Sequence, residues 1–476
     1  MQRKQIAEWS QPFQSLPESV FWSRVKPSPL VSPCWVDINH LLAESVAVST
    51  LLSSDQALIA ASGGEPLPEW DPIAQAYSGH QFGQWAGALG DGRGLYLGVS
   101  SNKGNAYEWH LKGAGKTPYS RSGDGRAVLR SSIREYLGSE YMNALGVPTT
   151  RALALVTSQT PVLRETVEQG ATLIRLARSH LRIGHFEHVY HSRRESELRE
   201  LIQFAIQQLD PELIDQTNPE EVLFDRYLDR SARLVAEWMA VGFVHGVMNT
   251  DNTALSGETL DYGPYGFVGH FDPGYVINHT DAQGRYAFGQ QPHVMQWNLG
   301  CLAECLTSFV GVDTLRAMLA SFPERFRHHY RQTMASRLAV TTDNPRLDLI
   351  TDGLASLFSV PGTFYLEGFQ WLLLDEPHGL SKRAIDQNKL ISLRKIWSEE
   401  KEVDLMPKAL NLAPSWMLSH WLLEEVISQA NVGDYSGVVS LREDLNCGIS
   451  MPSLYAERFG GSPPSAGSGY HLSCSS

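Results

Sequence analysis

An amide and a carboxylate on neighbouring loops, Asn252 in HGVMNTDN (245–252) and Asp261 in DYG (261–263), are the hard-oxygen donors that bind a divalent cation bridging phosphates. The segment between them, TALSGETL, reads as a tight hairpin that would bring the two together. The cations such a site needs lie upstream. Arg93 falls in the glycine-rich GALGDGRG (87–94), and Lys112 ends the strand-like EWHLK. Arg175, Arg178 and Arg182 stud the apolar run LIRLARSHLRIGH. Glycines let a backbone approach an anion, Arg can grip a phosphate with two parallel bonds, and arginines in an apolar run must find partners. Each feature also has an ordinary reading: a glycine-rich hairpin turn, a surface lysine, salt bridges within an acidic chain. Their order along the chain favours a phosphate site.

Strands followed by helices must position these side chains. GLYLGV (94–99) and YEWHLKG (107–113) read as strands joined by SSNKGN, and ATLIRLAR (171–178) as a third. A helix is expected over 125–146, stopped by Gly146 before Pro148. It offers Glu135 and Glu140; Glu135, near its middle, is placed to pair with Lys112. One more helix is expected around Ile38–Leu52, and several follow from residue 196 onward. SGDGR (122–126) repeats the GDGR of 90–93, and spacing alone makes Asp124 a helix cap. A strand-rich first part and a helical second part give an α+β, two-lobed enzyme. The expected divisions are an extension over 1–70 packing on the core, a first lobe over 71–180 with the Gly-rich loop, the Lys strand and the Glu helix, a helical lobe over 181–435 with both loops, and a C-terminal extension and Cys-containing tail over 436–476.

Bulk properties exclude several classes. A net charge of −13 argues against a nucleic-acid groove. No run approaches about 18 apolar residues, so no membrane span is expected. MQRKQIAEWS lacks the apolar centre of a signal peptide. Five cysteines in 476 residues are no disulfide framework, and the cytoplasm is the expected compartment. Cys301 and Cys305 share a helix face without a second pair, which points to core packing rather than zinc. A monomer is expected.

HGVMNTDN followed by DYG follows the H-x-D-x-x-x-x-N and D-x-G order of protein-kinase-like phosphotransferases. His245 and Asn252 fit; Val247 occupies the slot of the catalytic Asp, and an Asp stands instead at 251. Together with YSGHQFGQWAGALGDGRG, LKGAGKTPYSRSGDGRAVLRSSIREYL, DYGPYGF, NHTDAQGRYAFGQQP and the terminal CSS, this loop resembles the selenoprotein O (YdiU) family over nearly the whole chain. The resemblance implies a bilobal protein-kinase-like fold. It implies transfer of AMP from ATP to hydroxyl side chains (Ser, Thr, Tyr) of proteins, with Mg²⁺; some members transfer UMP with Mn²⁺. The nucleotide lies reversed relative to a kinase, so pyrophosphate leaves. By the same resemblance Gly90, Gly92, Arg93, Lys112, Asp124, Gly125, Arg175, Arg182 and Asp261 contact the nucleotide. Glu135 pairs with Lys112, Asn252 and Asp261 hold the metal, and Asp251 accepts the proton. Asp124 thereby becomes a nucleotide contact rather than a cap.

Two rival readings stand beside this one: a small-molecule phosphotransferase of the same fold, and a non-catalytic ATP-binding scaffold. The absent Asp at 247 counts against the first; intact Lys112, Asn252 and Asp261 count against the second. Many eukaryotic members carry selenocysteine at the position of Cys474, and in some bacterial members a cysteine there pairs with one in the loop after the metal Asp. Ile277 stands at that place here. Activity is therefore expected to be insensitive to dithiothreitol. A large rise on reduction that vanishes in Cys474→Ser would contradict this.

Overall fold

The computed structural model describes residues 7–374 and 385–451. Cys474 and the rest of the low-complexity tail lie outside the described residues. The strands are β1 (Glu8–Ser10), β2 (Trp22–Arg24), β3 (Cys34–Ile38), β4 (Ile73–Gln75), β5 (Ser78–Gln81), β6 (Gln84–Ala88), β7 (Gly94–Asn102), β8 (Asn105–Lys112), β9 (Ala127–Val128), β10 (Arg151–Leu163), β11 (Val167–Ala177), β12 (Phe243–Val244) and β13 (Gly266–Phe267). The first helices are α1 (His40–Ser45), α2 (Ser49–Leu52), α3 (Asp55–Ala61) and α4 (Leu129–Ala144). After β11 come α5 (Ile183–His191), α6 (Glu195–Leu209), α7 (Pro219–Ala240), α8 (Gln291–Cys305) and α9 (Val312–Leu338), with further helices to Cys447. The large sheet is antiparallel in the order β2-β4-β7-β8-β11-β10-β3, with β1 on β7 and β9 on β11. The α+β reading therefore holds, strands first and helices after.

One hairpin fixes the register on which the site depends. Lys103 and Gly104 both take positive φ (50° and 82°), which matches the twist of a two-residue hairpin loop. Asn102 then faces Asn105, and Gly94 faces Lys112. The glycine-rich segment before Gly94 is thus held beside the lysine. On the other side of β8, Leu173 of β11 faces Lys112 and Arg175 faces His110. Side chains alternate along a strand. Leu111, Ile174 and Leu176 point into a core under α1–α3 that also holds Leu95, Leu97 and Trp109. His110, Lys112 and Arg175 are thereby sent to the opposite face, toward α4.

Three expected elements differ in detail. The helix expected around 38–52 is broken into α1 and α2 at Ala47, whose φ is 60°. The helix expected from 125 starts at Leu129, because Ala127 and Val128 are taken up as β9 by Ala171 and Gly170 of β11. Asp124 therefore caps no helix, and the loop before it is not a helix N-terminus. Residues before 71 contribute β1–β3 to the sheet as well as covering it. Gly146 does close α4, at φ 78°. No helix of the described residues is long and apolar enough to cross a membrane.

Gly138 marks the closest approach of α4 to the second half of the chain. A Cβ there would fall 2.3 Å from the Tyr265 hydroxyl oxygen. Tyr265 is fixed: its hydroxyl donates to the Arg134 carbonyl (2.6 Å), and Arg134 Nη2 donates to the Tyr265 carbonyl (2.9 Å). Alanine would favour the helix by about 1 kcal/mol, but overpacking costs roughly 1–3 kcal/mol. Gly138→Ala is expected to be a net loss, read as a lower denaturation midpoint. An unchanged or raised midpoint would mean that Tyr265 can retreat.

Candidate active site

A cleft of about 560 Å³ opens between the β7–β8 hairpin and the loops after β12. Its lining gathers residues that are far apart in sequence: Gly90, Gly92 and Arg93; Lys112; Asp124 and Gly125; Arg175; Asp251 and Asn252; Asp261. Ten of the eleven residues expected to bind nucleotide or metal or to accept the proton thus share one wall or another of the cleft. Arg182 is the exception. It is 1% exposed and lies behind the lining, where Nη1 donates to the Asp261 carboxylate (3.0 Å) and to the Asp251 carbonyl (2.9 Å). Its guanidinium also stacks 4.5 Å from the Tyr77 ring centroid. Arg178, grouped with these arginines by spacing, is exposed.

A chain of buried charges organises the floor. Lys112 Nζ donates to Glu135 Oε2. Glu135 Oε1 accepts from Arg175 Nη1 at 3.1 Å, and the same nitrogen donates to Asp261 Oδ1 at 2.5 Å. Glu135 is reached because α4 lies across the face of β8 and β11 that carries Lys112 and Arg175. Glu140, the other acid considered on this helix, is committed elsewhere, to Arg151 (2.7 Å) and the Ala152 amide (2.8 Å). Burial disfavours the charge on Asp261, but Arg175, Arg182 and Lys112 outweigh it and hold the carboxyl well below its ordinary range. Burial likewise opposes charge on Glu135, and Lys112 and Arg175 hold it down. For Lys112 burial wins, and its ammonium is pulled below its ordinary value despite Glu135.

Asp251 differs. It is 8% exposed, and burial pushes it up to about 6 in spite of Arg182. Oδ2 accepts from Gln81 Nε2 at 3.3 Å, while Oδ1 has no hydrogen-bond partner. Val247 also lines the cleft, so an apolar group occupies the place where a kinase has its base. His245 braces this loop on the next one: Nε2 contacts the Leu260 carbonyl at 2.9 Å, directly before Asp261. Asp261 itself takes φ 61°, a strained backbone for a non-glycine residue.

The residues fit a divalent cation. Asn252 Nδ2 donates to the Val247 carbonyl (3.2 Å), which leaves the amide oxygen as its free donor atom. Asp261 remains 24% exposed, and each carboxylate oxygen can accept beyond its arginine bond. This all-oxygen set suits Mg²⁺ or Mn²⁺. Anion donors are also in surplus: Arg175 Nε and Arg182 Nη2 are buried without partners.

Sequence reasoning passed over several contributors. Asp91, inside the first GDGR, is buried and accepts from the Gln75 amide (3.0 Å) and the Tyr77 hydroxyl (3.3 Å), which pins the glycine loop. Arg164 reaches the cleft and forks onto Asp124 at 2.7 and 3.0 Å. The β5–β6 hairpin covers the 245–252 loop: His80 N donates to Thr250 Oγ1 (2.7 Å) and Phe82 N to Asn249 Oδ1 (3.2 Å). Glycines at 79 and 83 were the available signal. A Cβ on Gly79 would lie 2.9 Å from Asp251 Oδ1.

Asp261 carries two buried arginines as well as its place in the cleft. Asp261→Ala is therefore expected to cost on the order of 3 kcal/mol of unfolding free energy, since Arg182 loses its carboxylate partner. Urea denaturation measures this. A stability equal to wild type would show that water or a rearranged side chain compensates Arg182.

Comparison with known proteins follows the same lines. The profile of the family described as "Protein adenylyltransferase SelO" matches residues 6–438. Two relatives from Salmonella paratyphi A, one of strain ATCC 9150 / SARB42, are both called protein nucleotidyltransferase YdiU. Each is 42% identical over 468 residues, covering 96% of this chain and 97% of the relative. Among solved structures, ROP2 from Toxoplasma gondii, described as a virulence factor with a protein-kinase fold and no enzymatic activity, matches 60% of this chain and 87% of its own. At 13% identity and a TM-score of 0.24 that likeness carries no argument. The match over residues 6–438, and relatives 42% identical along nearly their whole length, place this chain in the protein adenylyltransferase SelO family.

Proposed function

We propose that this enzyme transfers AMP from ATP to a hydroxyl side chain of a protein, releasing pyrophosphate, and that the cleft described above is where it does so. One observation carries the reading. The carboxylate free at the catalytic loop is Asp251, with Oδ1 unpartnered, while position 247 is an apolar valine in a cleft walled by cations. That arrangement lacks a base where γ-phosphoryl transfer needs one and supplies charge where a polyphosphate leaving group needs it.

The acceptor oxygen attacks the α-phosphorus, the bond from the α-phosphorus to the bridging oxygen breaks, and pyrophosphate departs with the electron pair. The acceptor's proton passes to Asp251 Oδ1. Arg93, Lys112 and Arg175 hold the outer phosphates, where negative charge grows as pyrophosphate leaves. Arg182 supports this from behind, by fixing Asp261 and the Asp251 carbonyl. Gly90, Gly92 and Gly125 let the backbone close on the nucleotide, and Asp124 holds Arg164 toward it. Asn252 and Asp261 would hold Mg²⁺ or Mn²⁺, which supplies charge neutralisation on the phosphates when bound. The relatives' name, protein nucleotidyltransferase, leaves the nucleotide open, and the family resemblance makes UTP with Mn²⁺ the second donor to assay.

Incubation with ATP labelled at the α position should mark protein, and ATP labelled at the γ position should not. Lys112→Ala should reduce the α-label by about a hundredfold or more, the usual consequence of losing a charged group that stabilises the transition state. Val247→Asp should still give no γ-label, because an added carboxylate cannot turn the nucleotide round. It should also slow α-transfer by placing negative charge in the cleft. Protein labelled from γ-labelled ATP by the wild type would replace this reading with the kinase one.

A further inference from the structure

Three side chains that adenylyl transfer does not use converge behind the catalytic loop. His80 comes from β5, Glu187 from α5 and Cys301 from α8. His80 Nδ1 is 2.5 Å from Glu187 Oε1, and one nitrogen, oxygen and sulfur atom from the three residues all lie within 4.8 Å of one another. None of the three lines the nucleotide cleft. Glu187 is fully buried, yet its Oε2 has no hydrogen-bond partner. An enclosed carboxylate oxygen without a donor is unfavourable, and a cation beside it removes the penalty. The His80 side chain is 18% exposed and Cys301 is half-buried, so the cluster can be reached from outside.

We propose that His80, Glu187 and Cys301 form a second metal site, for a thiophilic divalent cation of the zinc class. The donor set decides the class. An imidazole nitrogen, a carboxylate oxygen and a thiolate suit Zn²⁺, whereas Mg²⁺ selects oxygen donors. The distances require only small side-chain shifts to reach bonds of about 2.0–2.3 Å. Cys301 gives its proton to solvent as the metal–sulfur bond forms. Three protein ligands leave a fourth position open for water.

The site would tie three elements that meet at the catalytic loop. His80 is held to Thr250 through its backbone, and Gly79 rests on Asp251. Gly184, in the first turn of α5, is so close to β5 that a Cβ there would lie 2.2 Å from the Ser78 carbonyl oxygen. An ion bridging β5, α5 and α8 would clamp the β5–β6 hairpin over Asp251, a positioning role distinct from the phosphate-bound metal.

Co²⁺ is the probe, because cobalt bound to a thiolate absorbs in the near ultraviolet and cobalt on oxygen donors does not. Chelator-stripped full-length protein is titrated with Co²⁺. The expected result is a saturable thiolate band reaching one ion per chain, displaced by Zn²⁺ and not by excess Mg²⁺. The band should be absent in Cys301→Ser and at least tenfold weaker in apparent affinity in His80→Asn, with circular dichroism showing both variants folded. A wild-type protein that develops no band has a hydrogen-bonded triad and no metal site, which overturns the proposal. A band that persists in folded Cys301→Ser also overturns it, since the sulfur ligand then comes from another cysteine.

Discussion

The bond that the rest of the site depends on is the double engagement of Asp261 by Arg175 and Arg182. One carboxylate, on a strained residue, receives a guanidinium from β11 through Oδ1 and another from the residue before α5 through Oδ2. Arg175 continues to Glu135 on α4, and Glu135 to Lys112 on β8. Three cations and two carboxylates therefore form one chain, with one positive charge in excess. Buried ion pairs contribute little net stability, because desolvation offsets their attraction. Breaking one leaves an uncompensated charge, which is costly. The chain therefore fixes geometry: the strand-rich half cannot shift against the loops of the helical half without separating buried charges.

That geometry also explains why the cleft suits a polyphosphate. The network holds its cations in place before any anion arrives, and the excess positive charge, with Arg93 at the rim, is available without reorganisation. Arg175, which lines the cleft, keeps Nε as a donor without a partner. Asp251 is kept out of this network. Its backbone carbonyl serves Arg182, but its side chain accepts a hydrogen bond from Gln81 and from neither arginine, and burial leaves it a weaker acid than Asp261. Two aspartates ten residues apart in sequence thus acquire opposite characters, one held as an anion among arginines and one pushed by burial toward its neutral form.

The β5–β6 hairpin supplies the other constraint. It reaches across from the strand-rich half and binds the 245–252 loop through Thr250, Asn249 and Asp251. Gly79 is there because the backbone itself packs on Asp251, and Gly83, at φ 78°, lies against the Arg285 guanidinium. The aromatic and imidazole groups around His80, including Trp85, Trp297 and His191, form a partly exposed ledge behind it.

The sequence alone determined the class of fold and placed β7, β8, β11 and α4, and the order of the Gly-rich loop, Lys112 and Glu135 along the chain suggested the Lys112–Glu135 pair that the structure shows. The elements follow from local rules: alternation in β7 and β8, the turn at Lys103-Gly104, and the stop at Gly146. Residue chemistry also identified Asn252 and Asp261 as hard-oxygen donors, and the long motifs identified the family. Tertiary structure decided what depends on non-local partners. Ala127 and Val128 joined β11 instead of α4 because Ala171 and Gly170, 44 and 42 residues downstream, offered their backbone a ladder. That removed Asp124 from any helix end and left it to orient Arg164. Arg182, alike in sequence to Arg175, turned inward, because Asp261 and the Asp251 carbonyl could satisfy it only from behind the cleft. Cys301, read as core packing for want of a second cysteine, met His80 and Glu187 from elements 221 and 114 residues away. Spacing along a chain reports neighbours on one element; a charge or a ligand set is completed by whatever the fold brings to it.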